Sequence, residues 1–194
     1  MRLPSWLGRS PLEEVFGHGS SSGLGVRLMR TYDPRLVSGE VLSRLIGLLR
    51  RSPLMYLAES GIWTYRGDED LKLSLADVAA DHQNFIDRAE TILIDQELES
   101  PQSAFPLSFT GWHDVDLGFL LSRVLVDLTD RQQEIVGLME QADLAASHGD
   151  ITVGRAAELV REVRAAIDGH IDLLMQQQSR LAQKVTASGP VPTG

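Results

Sequence analysis

The stretch ESPQSAFPLSFTGW, residues 99–112, decides how the rest of the chain is read. Its Pro and Gly residues, set among hydroxyl and aromatic side chains, make it too irregular to be one helix throughout. On both sides the pattern is helical, and no alternating strand pattern stands out anywhere. Before it, helix B starts at a cap on Asp68 or Asp70 and runs to about Leu98; helix A runs from Asp33, Pro34 or Ser38 to about Tyr65. After it, helix C spans about His113 to Ala146, and helix D about Thr152 to Lys184. Pro53 lies within helix A and predicts a kink, or a split with Ser52 as a new N-cap, because its ring displaces a backbone hydrogen bond. The connections are therefore short, long, short. Short loops join antiparallel neighbours, whereas a long connection between the second and third helices can carry the chain back along a bundle before the third helix begins.

With 194 residues and 43% hydrophobic content the chain is long enough for one core. Residues 1–32, rich in Gly and Ser around GHGSSSGLG, read as a flexible N-terminal segment, and 185–194 as a disordered tail, leaving 33–184 as the structured part. A net charge of -9 and a pI near 5.0 argue against nucleic acid as a partner, since phosphate binding rests on clustered Lys and Arg. The absence of Cys excludes disulfides, thiolate metal sites and a Cys nucleophile. No apolar run has the length of a secretory signal or a membrane span. The expectation is a soluble, cytoplasmic protein with no membrane partner and no identified small-molecule substrate.

Several ionisable residues fall where apolar ones belong. On helix A the series Leu42, Leu45, Leu49, Ser52, Tyr56, Glu59, Trp63 has three-and-four spacing, so Glu59 is expected to face inward. On helix B the series Leu75, Val78, His82, Phe85, Ala89, Ile92 does the same for His82. Helix C brings Leu117, Leu121, Val124, Leu128, Ile135, Leu138 and Ala142, with Arg131 and Gln132 where the apolar series lapses and Asp127 at its margin. Helix D sets His170 at the seam among Leu159, Val163, Ile167, Leu174 and Leu181. A buried carboxylate is paired, neutral or bound to a cation. Glu59 and Asp127 with His82 and His170 would offer oxygen and nitrogen ligands to iron, manganese or zinc. The alternative is that Glu59 bonds Arg131 or Tyr56 and both histidines are ordinary interior residues. Against a di-iron centre stands the absence of any Glu-x-x-His, the spacing that sends two ligands from one helix to the same metals. Nucleophilic catalysis has no support, and hemerythrin-like oxygen binding fits poorly, because only His82 and His170 lie well inside helices.

With these residues in view, the chain resembles the ferritin-like superfamily over about residues 40–182, and within it the DNA-protecting (Dps) branch. IWTYRGD, residues 62–68, is similar to that branch's His-Trp-Asn-x-x-Gly segment through Trp63 and Gly67. RAETI, residues 88–92, is similar to its Ala-Glu-Arg segment, and FPLSF, residues 105–109, to an aromatic-Pro-Leu segment before the third helix. The resemblance implies an all-α, ferritin-like four-helix bundle with a long crossover, and makes Glu90 the counterpart of a metal-binding Glu. It also implies a homo-oligomer. The branch's His before the Trp falls on Ile62, however, and its Asp before the Glu on Ile86, so its ferroxidase set is largely lost. The expected function is a ferritin-like protein in iron storage or stress protection that binds iron or another divalent transition metal. Its candidate metal residues are Glu59, His82, Glu90, Asp127 and His170. The alternative is a non-catalytic bundle used for interaction or assembly. Phe109 and Trp112 on the crossover are candidates either for a partner contact or for covering the chain's own core.

Overall fold

The computed structural model describes residues 33–112, 115–147 and 149–187, so the expected flexible segment 1–32 lies outside the described residues. These residues are all-helical or irregular, and no strand occurs among them. Helices α1 (Pro34–Arg50) and α2 (Pro53–Ser60) share the region expected as helix A; α3 (Glu69–Asp95), α4 (Leu117–Ala146) and α5 (Ile151–Ala187) follow. Short 3-10 turns occupy Ile62–Thr64 and Leu107–Trp112. No helix among the described residues is long and apolar enough to cross a membrane.

Local chemistry sets these boundaries. Asp33 accepts from the Arg35 backbone N–H at 3.0 Å, with Pro34 in the first turn where no N–H is needed. Pro53 splits rather than kinks the first helical region: Ser52 turns extended at ψ 153° and its hydroxyl accepts from the Met55 N–H at 3.1 Å. α2 then stops at Gly61, whose left-handed φ of 89° suits a residue without Cβ. Asp68 caps α3, Asp116 caps α4, and Asp150 accepts from the Thr152 N–H at the start of α5.

The helices converge on one apolar interior. Leu42, Leu45 and Leu49 of α1, Leu75 and Ile86 of α3, Leu121 and Leu128 of α4, and Val163 and Ile167 of α5 are completely buried. Burial of such side chains stabilises by about 1.5–3 kcal/mol each. α1 packs on α3, α4 and α5, and α5 also packs on α3 and α4. The connection at 99–112 passes the end of α1 and runs along α2. Its start is held by Arg50, which donates to the Pro101 carbonyl at 3.2 Å, and its end by Tyr56, whose ring meets Phe105 and Phe109 at 5.4 Å and Trp112 at 6.1 Å. Phe109 and Trp112 thus cover the chain's own core. The Leu117 N–H then donates to the Arg66 carbonyl at 2.8 Å, so α4 begins at the end where α3 begins. A Cβ on Gly67 would lie 2.8 Å from the Cβ of Leu117, which explains why the chain needs Gly at this crossing. α5 returns the other way, from a contact of the Ser38 hydroxyl with the Thr152 carbonyl to an ion pair between Lys184 and Asp68.

Candidate functional site

Glu59 does not face the interior. It is exposed, one turn before a Trp63 that is itself 55% exposed. The inward expectation carried a single helical phase through Ser52, but the extended backbone there restarts the count. Beyond the break the buried residues are Leu54, Met55 and Leu57, then Ile62 and Tyr65. Glu59 and Trp63 instead border a cleft of about 350 Å³ between α2 and α3, floored by Ala58, Ile62, Ala76 and Ala79. Nor does Glu59 meet Arg131, whose guanidinium is engaged elsewhere.

Glu90 and Asp127 are held by other partners. The Glu90 carboxylate accepts from the Ser100 hydroxyl at 2.5 Å and from Arg50 at 2.7 Å, clasping the start of the crossover to α1 and α3. The Ser100 hydroxyl and the Arg50 guanidinium together hold its pKa below the ordinary value, against a smaller opposing effect of burial. Asp127 accepts from Arg131 one turn on, through both Nε and Nη2. Burial nevertheless pushes the Asp127 carboxyl up, with the neighbouring Asp130 and Glu134 adding to it, against the pull of Arg131. Arg131 also donates to the carbonyls of Leu48 and Arg51, capping the open end of α1 left by the Pro53 break.

His82 and His170 come together. Their ring centroids are 5.4 Å apart across the seam of α3 and α5. His82 is completely buried, and burial drives its pKa down to about 3, with further lowering by His170 and by Arg131. The Nε2 of His170 meets an Asp81 carboxylate oxygen at 3.0 Å. Both ring nitrogens of His82 and the Nδ1 of His170 are buried without a hydrogen-bond partner. Asp81 was not among the sequence candidates; it adjoins His82 on α3, and nothing in its spacing points to His170. Among the described residues no three or more His, Asp or Glu side chains are grouped so as to hold a metal ion. The five sequence candidates therefore divide into one facing pair, His82 with His170, and three carboxylates held apart from it. No family model, curated protein or solved structure matches the chain.

Proposed function

We propose that this chain is a ferritin-like four-helix bundle acting as a non-catalytic assembly module, which associates with a second copy of itself. The lengthwise crossover and the shared starting end of α3 and α4 support the bundle reading. The observation that carries the assembly reading is Trp63: a half-exposed indole stands beside an apolar cleft floored by small side chains. An apolar knob and an apolar recess on one patch are what a two-fold contact needs, because the same surface must complement itself. A cytoplasmic location without nucleic-acid partners belongs to this reading, on the grounds of the acidic charge and the missing Cys.

Size exclusion with light scattering tests it. The full chain is expected at twice its own mass or a higher multiple, and Trp63→Ser, or Ala80→Arg on the α3 wall of the same cleft, at the mass of one chain. A wild-type protein that stays monomeric at about 100 µM, where a contact of even ~10 µM Kd would be mostly formed, refutes the assembly reading.

Iron handling is the second reading, favoured only by the facing histidines. The donor set does not fit iron: Glu59 is in solvent, and Glu90 and Asp127 are occupied by arginines. Ferrous loading in air, followed by elemental analysis of the eluted peak, distinguishes the two. Stoichiometric iron, lost in His82→Gln, would replace the first reading with the second.

A further inference from the structure

Three buried imidazole nitrogens lack partners in the seam of α3 and α5, whereas the other buried polar pair there, Ser74 and Gln177, is hydrogen-bonded. Leaving a buried polar atom unsatisfied costs ~1–3 kcal/mol, which an apolar pair would avoid. His82 lies one turn from Val78 and from Ile86, and His170 one turn from Ile167 and from Leu174, all of them buried.

We propose that His82 and His170 form a low-coordinate site for a soft monovalent cation, Cu(I) in chemical type. Ring centroids 5.4 Å apart, tilted at 46°, span one ion held by a nitrogen of each ring in a bent arrangement, given metal–nitrogen bonds of ~2 Å. No carboxylate reaches the ion itself: Asp81 meets only the outer nitrogen of His170 and lies largely in solvent, so the ion's charge is compensated only in part within a low-dielectric interior. The solvation penalty there rises with the square of the charge, which favours a monovalent over a divalent ion. Two nitrogen ligands satisfy a monovalent d10 ion and leave zinc or iron short of the four or more they take.

The surroundings suit such a site. Asp81 bonds His170 at Nε2, which keeps the proton on that nitrogen and turns the Nδ1 lone pair inward, the usual outer-shell device for a ligating histidine. Asp81 is exposed, His170 nearly buried and His82 completely so, a graded path from solvent to interior. The nearby cation Arg131 is balanced by its ion pair with Asp127. The site is independent of how the chain assembles.

Anaerobic titration of the full chain with Cu(I) against a chromogenic Cu(I) chelator tests the proposal, with parallel Zn(II) and Fe(II) titrations and 15N spectra of the histidine side chains. The expected result is one tightly held Cu(I) that shifts the His82 and His170 ring nitrogens. His82→Gln and His170→Gln each lose that equivalent, and Asp81→Asn weakens it ~10–100-fold. The proposal fails if the variants keep all of the wild-type Cu(I), or if Zn(II) binds the same histidines as tightly. Should a variant not fold, the wild-type spectrum decides alone: His82 and His170 nitrogens unmoved at saturating Cu(I) overturn it.

Discussion

Acid should destabilise this protein well above the pH at which carboxylates titrate, and His82 should be the cause. Its imidazole has an ordinary value of 6.5 and a folded value of about 3. Between those limits the unfolded chain binds a proton that the folded chain refuses, so stability rises with pH. The contribution is fully present above pH 6.5 and is lost progressively as pH falls from there toward 3. At pH 5, 1.5 units below the unfolded value, the loss is about 2 kcal/mol at 1.36 kcal/mol per unit. Urea unfolding of the metal-free protein, followed by circular dichroism at several pH values from 7.5 to 5, measures it. His82→Leu keeps an apolar body at the position and removes the titration; its stability should change much less across that range. At pH 7.5 it should also match or exceed the wild type, because two unpartnered nitrogens have gone. A wild-type stability that is flat from pH 7.5 to 5, or a slope that survives in His82→Leu, refutes the reasoning.

Three further substitutions probe the framework. Glu90→Gln replaces the carboxylate that Ser100 and Arg50 share, and should cost about 1 kcal/mol in urea unfolding; proteolysis within 99–112 should quicken as the crossover loosens. Gly67→Ala forces a methyl against Leu117, and thermal unfolding should show a loss of about 1–3 kcal/mol, a neutral result excluding the close crossing of α4 over this link. Ser52→Ala removes the cap of α2 and should cost about 1 kcal/mol with little change in helix content, whereas an unchanged melting temperature would mean that Arg131 alone secures the break.

Much of the helical layout was legible because its causes are local. Asp33, Ser52 and Asp68 announce helix starts by side-chain capping, and Pro53 announces a break by its missing N–H. The apolar series of α4 is buried as its spacing predicts, from Leu117 to Ala142, and His82 and His170 face inward with their neighbours. α5 outran its expected end at Lys184 and continues to Ala187, within the margin at which helices fray.

The site was legible only in part. Periodicity is valid within one uninterrupted helix, and Glu59 lies past an interruption whose effect on phase depends on the angles at Arg51 and Ser52. Glu90 stands at a position open to a metal or to an arginine, and only packing brought Arg50 to it, whereas Asp127 pairs with Arg131 one turn on in the same helix. The sequence by itself determined which segments are helical and which residues face inward on unbroken helices, since both follow from interactions a few residues apart. Tertiary structure alone decided that the histidines meet, that Asp81 orients one of them and that Glu90 is taken by Arg50. Those contacts join residues 40 to 89 positions apart, and spacing along one helix carries no information about the side chains of another.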